Sequence, residues 1–159
     1  TGWRLGYVVS RDKHLINLMK LADYTQTAGI PTYTQFAGAE ALTNTEKEIE
    51  SVTSFMNEFT VRRTALYNGL NEIEGIKLPL KPDGAFYIFP DFSEFVPKNI
   101  SKEDSKLYVF NKLMDAGVAT VFGSCFGQYF QNNLRLSYST TNLAQIEEGL
   151  SRIKDALHK

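Results

Sequence analysis

Two arginines stand where strand alternation separates them from bulky neighbours, and a guanidinium so placed is equipped to hold an anion. From Trp3 to Val9, Trp3, Leu5, Tyr7 and Val9 fall on one side of an extended segment, and Arg4 falls on the other beside Gly6. From Leu134 to Tyr138 the same alternation groups Leu134, Leu136 and Tyr138 and leaves Arg135 with Ser137 and Ser139. The planar guanidinium fork matches carboxylate or phosphate oxygens through two parallel hydrogen bonds. A surface or ion-paired arginine is the other reading at each position, and spacing alone leaves both open. His14 and His158 read as solvent-facing helix positions without the spacing of a metal site or triad, and the single cysteine, Cys125, reads as a small residue in a Gly/Ser loop. No catalytic residue and no metal ligand is assigned within the chain.

The elements that must position these arginines are organised around a long helix expected from Thr45 to Glu74. Ile49, Val52, Met56, Phe59, Leu66, Leu70 and Ile73 recur at spacings of three and four, with one polar gap at Arg63, which reads as a snorkelling or paired arginine. Thr45 and Glu48 have the spacing of a capping box, and Gly75 supplies the stop. Such a helix is about 45 Å long, so it spans more than one layer; a coiled-coil arm is the rival, but the heptads stop at Gly75. Before it lie a buried strand over Trp3–Val9, a helix capped by Ser10 and Asp12, a Gly29-Ile30-Pro31 break and a short helix from about Thr34 to Leu42.

After Gly75 the pattern turns to sheet. Strands are expected at Ile76–Leu80, Ala85–Phe89, Val118–Phe122 and Leu134–Tyr138, with helices opened by Ser101/Asp104 and Asn142/Gln145. The order strand, strand, helix, strand, strand, helix predicts an α+β layer, mostly antiparallel, with helices on one face, inside an α/β whole.

Composition narrows the function classes. A hydrophobic content of 43% and an aromatic content of 13% are ample for a core. With 17 basic against 18 acidic residues there is no electrostatic footprint for nucleic acid or an anionic membrane surface. No apolar run approaches the ~20 residues of a membrane span and no cationic-then-apolar leader is present, so the expected setting is cytoplasmic. The sequence starts at Thr1 and within two residues reads as a buried strand, which leads us to expect a piece of a longer protein, cut in front of a strand.

Four motifs in order resemble one family. Thr1-Gly2-Trp3-Arg4-Leu5-Gly6-Tyr7 is similar to the segment just after the cofactor lysine of the aspartate-aminotransferase-like, class I/II (fold-type I) pyridoxal-phosphate enzymes. Asp83-Gly84-Ala85-Phe86-Tyr87-Ile88-Phe89-Pro90 resembles their Gly-Ala-Phe-Tyr strand. Gly117-Val118-Ala119 through Gly123-Ser124 with Phe126-Gly127 resembles their loop before the substrate arginine, and Arg135-Leu136-Ser137 with the final helix completes the pattern. Phe122 departs from it, standing where the family usually has proline.

The resemblance implies roles and boundaries. Residues 1–45 would be a remnant of the large cofactor-binding domain, 46–75 the long interdomain helix and 76–159 the small C-terminal domain. Arg4 would bind the phosphate of pyridoxal 5'-phosphate, Arg135 would clamp the α-carboxylate of the amino acid, and Phe86 would lie near the substrate unless it is a core aromatic. The parent would be a homodimer exchanging an amino group between an amino acid and a 2-oxo acid. In the family the Schiff-base lysine lies about five residues before the position of Thr1, so the 159 residues alone are expected to be inactive and not to hold the cofactor. A pyridoxal-phosphate lyase or synthase on the same scaffold, or a non-catalytic amino-acid-binding module, would carry the same motifs.

Overall fold

The computed structural model describes residues 2–158, with only the backbone of Lys102; Thr1, which opens the first motif, lies outside them. The chain forms two compact units, the first through Ser54 and the second from Phe55.

The first unit is helical. Helix α1 (Lys13–Thr27) starts where the Asp12 carboxylate accepts from the backbone N–H groups of His14 and Leu15 at 2.8 and 3.1 Å. It stops at Ala28, which takes the left-handed conformation with φ 56°. Helix α2 (Thr32–Thr43) follows Pro31, whose ring suits the entry to a helix, and ends at Asn44. The expected strand over Trp3–Val9 does not form: these residues are exposed and unpaired in any sheet, with a bend at Trp3 and a left-handed backbone at Arg4. A strand needs a partner edge for its N–H and C=O groups, and the described residues offer none.

Helix α3 (Thr45–Asn71) runs through the boundary between the units and is three residues shorter than the periodicity suggested. Its cap is Asn44 rather than Thr45. The Asn44 Oδ1 accepts from the Lys47 N–H at 3.4 Å, and Thr45 is already helical. Asn44 sits outside the helical region at both the end of α2 and the start of α3, which frees its side chain for that role. Past α3, Gly75 takes φ +94° with the Phe95 ring lying against it, a place no Cβ would fit.

The second unit holds a three-stranded antiparallel sheet of β1 (Tyr87–Ile88), β2 (Val121–Phe122) and β3 (Leu134–Ser137), in the order β1-β3-β2. Of the expected Ile76–Leu80 strand only a bridge between Lys77 and Asp91 remains, because Pro79 and the Lys81–Gly84 turn leave little backbone to pair. Helix α4 (Lys102–Asp115) opens on Ser101, whose hydroxyl accepts from the Asp104 N–H at 3.0 Å. Helix α5 (Leu143–Leu157) opens on a full capping box, Asn142 and Gln145 each accepting from the other's backbone N–H at 2.9 and 3.0 Å.

The core is the buried face of β3 against the helices. Leu134, Leu136 and Tyr138 meet Leu66, Leu70 and Ile73 from the end of α3 and its exit, Val109 and Leu113 from α4, and Ile146, Ile153 and Leu157 from α5. Phe122 joins this packing edge-on to Phe110 at 5.4 Å, so the ring that replaces the family's proline fills space between β2 and α4. The helices thus cover one face of the sheet, as the pattern predicted, and the opposite face carries Arg135.

Candidate functional site

Register decides what surrounds Arg135. In an antiparallel sheet, directly paired residues share a face. Tyr87 pairs with Ser137 and Val121 with Arg135, so all four side chains stand on the face away from the core. Arg135 is half-buried there, its guanidinium 4.4 Å from the Tyr87 ring centre and 5.2 Å from that of Phe126.

Phe126 is delivered by the tight turn Gly123–Phe126 that follows β2. Gly123 makes the turn possible: its N–H donates to the Asn133 carbonyl at 2.7 Å, and a Cβ there would run into the carbonyls of Phe130 and Asn133. Phe89 meets Phe126 edge-on at 5.5 Å and Phe130 at 5.4 Å, which backs the platform with a second row of rings.

Rings this close to a guanidinium favour it through its charge, and leave its N–H groups to be met by a ligand. Among the described residues the Arg135 guanidinium has no hydrogen bond and no ion pair, so those donors are unmatched by the protein. Two parallel donors beside an apolar wall suit a carboxylate.

The other expected site residues lie elsewhere. Arg4 belongs to the first unit, is exposed, has a left-handed backbone with φ 52°, and makes no hydrogen bond or ion pair among the described residues. The Phe86 ring packs against Phe59 at 5.9 Å and joins the periphery of the core. Its neighbour Tyr87, with Phe126, is what meets Arg135. Tyr87 and Phe126 escaped sequence reasoning because face membership across strands depends on register, which neither segment states by itself. Arg62 was also missed: it donates to the Ser139 carbonyl at 2.7 Å and pairs with Glu58 at 2.5 Å. Cys125 is exposed. Among the described residues no three His, Cys, Asp or Glu side chains gather as a metal site, and no helix is long and apolar enough to cross a membrane.

Comparison with known proteins now bears on this geometry. Residues 1–153 match the family described as Aminotransferase class I and II. The chain belongs to that family. It is 37% identical to a probable aspartate aminotransferase of Methanocaldococcus jannaschii, covering 98% of this chain and 39% of that protein. It is 38% identical to a probable aspartate/prephenate aminotransferase of Aquifex aeolicus, over 100% of this chain and 38% of that one. Among solved structures it resembles the Thermus thermophilus aspartate aminotransferase with maleate at a TM-score of 0.79 and 32% identity, covering 98% and 37% of the two chains. The aromatic aminotransferase of Pyrococcus horikoshii gives a TM-score of 0.77 and 33% identity, over 99% and 39%. The mixed helical and antiparallel fold is thus that of this aminotransferase family, and the chain spans about two fifths of the length of the relatives it matches.

Aminotransferases of this family use pyridoxal phosphate. Arg4, expected from the resemblance to meet the cofactor phosphate, is exposed, and its guanidinium has no acceptor among the described residues.

Proposed function

We propose that the protein containing this chain is a pyridoxal-phosphate aminotransferase that moves an amino group between an amino acid and a 2-oxo acid. The observation that carries this reading is the Arg135 guanidinium, set against Tyr87 and Phe126 with its donor edge unmatched. Arg135 would hold the α-carboxylate that amino acid and 2-oxo acid share, while the rings limit the rotation of the guanidinium and exclude water from its faces. Arg4 would hold the cofactor phosphate. The bound cofactor supplies the electron sink that makes the substrate's α-carbon acidic. In this reading the ring nearest the carboxylate is Tyr87, and Phe86 supports it from the core side.

Relatives are named for aspartate, prephenate and aromatic amino acids, and what those substrates share is the carboxylate end that Arg135 would read. A homodimer and a cytoplasmic setting belong to the same reading, and the homodimer rests on the resemblance alone. The inactivity of these 159 residues by themselves also rests on the resemblance: with pyridoxal phosphate, an amino acid and a 2-oxo acid added, no amino-group transfer is expected, and turnover would overturn that part.

The test of the main reading uses the full-length protein. Arg135→Ala should raise the KM for the amino acid by roughly a hundredfold, the worth of a charged, bidentate hydrogen bond, and leave cofactor uptake unchanged. Equal loss of cofactor and substrate binding would sink the assignment.

A further inference from the structure

Arg63, the polar residue that interrupts the apolar stripe of α3, has no part in the geometry described so far. It is half-buried, and its Nη1 donates to the Pro82 carbonyl at 2.8 Å. Its Nε is enclosed without an acceptor. A guanidinium half-buried at that cost does something there, since an apolar residue would continue the stripe.

A second side chain grips the same segment three residues on. Tyr138, 1% exposed, donates its phenol to the Ala85 carbonyl at 3.1 Å, and its backbone N–H donates to the Phe86 carbonyl at 3.1 Å. Ala85 lies in the left-handed region with φ 57°. A residue with a Cβ is disfavoured there by roughly 1–2 kcal/mol, so the conformation persists where neighbours hold it.

The next residue but one is Tyr87, the ring against Arg135. Strand β1 has only two residues, too little ladder to set the position of Tyr87 by itself. What sets it is the turn from Pro82 to Phe86, held on one side by α3 and on the other by the residue just after β3.

We propose that Arg63 and Tyr138 are positioning residues for the carboxylate clamp: they fix the Pro82–Phe86 turn and so keep the Tyr87 ring against the Arg135 guanidinium. The inference rests on reading Arg135 as the residue that binds the substrate carboxylate. Releasing the turn frees the ring and lets the guanidinium rotate, and the cost of ordering it again is taken from substrate binding. Neither residue touches the substrate.

The experiment measures KM and kcat of the full-length protein with L-aspartate and with L-phenylalanine, which share the α-carboxylate and differ beyond it. Arg63→Ala and Tyr138→Phe should each raise KM by roughly three- to tenfold, alike for both amino acids, with kcat within about twofold. Arg63→Lys, which keeps a donor, should recover part of the loss. In an Arg135→Ala background the effect of either substitution on KM should vanish, because the residue it acts through is gone. If Arg63→Ala does not fold, Tyr138→Phe, which removes one hydroxyl, decides the matter. Unchanged KM in the folded variants, or the same rise with and without Arg135, overturns the inference and leaves the clamp standing. An Arg135→Ala protein that binds both amino acids normally, or an unsubstituted protein that turns over neither, overturns the clamp itself.

Discussion

The two ends of α3 carry the same kind of apolar residue at the same spacing, yet in the N-terminal part Ile49 and Val52 are exposed while Leu66 and Leu70 are enclosed. The contrast extends to the units they belong to. Among the described residues the first unit has one buried residue, Thr34, and exposes Trp3, Tyr7, Leu18 and Phe36; every buried hydrophobic residue described lies in the second. An apolar stripe is therefore a request for a partner and not a record of one. In the second unit β3, α4 and α5 answer it, and the same elements bring Tyr87, Phe126 and Arg135 to one face.

The sharpest way to break this contrast is amide hydrogen exchange on the 159-residue chain. Amides of α1 and α2 should exchange faster than those of β3, α4 and α5 by roughly a thousandfold or more, since local opening is cheap where little apolar surface is buried. Comparable protection in both units would show that the first has a core of its own.

Next in size is a pair of truncations within α3. Leu70, with no exposed surface, should cost about 3 kcal/mol when replaced by alanine, and Ile49, 62% exposed, within about 0.5 kcal/mol, read from denaturant unfolding of the 159-residue chain. Similar costs would mean that the N-terminal part of the stripe is buried in solution.

The smallest effect concerns pH. Burial pushes the Tyr138 phenol above its ordinary value of 10.0, with the nearby Arg63 charge opposing. The unfolded chain ionises first, so the contribution of Tyr138 is intact below about pH 10 and is lost as pH rises through the higher folded value. Tyr138→Phe should flatten that alkaline limb of the second unit's stability curve, with a change at neutral pH of about 1 kcal/mol. A limb that keeps its slope in the variant would assign it to other groups.

Much of the second unit was legible in the sequence because its signals are local. Helices α4 and α5 start where Ser101 and Asn142 placed them, since a cap is a contact between residues three apart. Alternation along β3 correctly set Arg135 opposite Leu134 and Leu136. Where the outcome depended on distant partners, the reading failed: Trp3–Val9 alternates like a strand but has no edge to pair with, and Asn44, as the residue between two helices, took the cap from Thr45.

By itself the sequence determined the family, the starts of α4 and α5 and the alternation that frees Arg135 from the core, because motif order, capping and period are properties of neighbouring residues. Only tertiary structure decided that Tyr87 and Phe126 stand against Arg135 while Phe86 turns inward, and that Arg63 reaches the Pro82 carbonyl. Those placements depend on strand register and on a turn gripped by residues tens of positions away, and no local pattern encodes them.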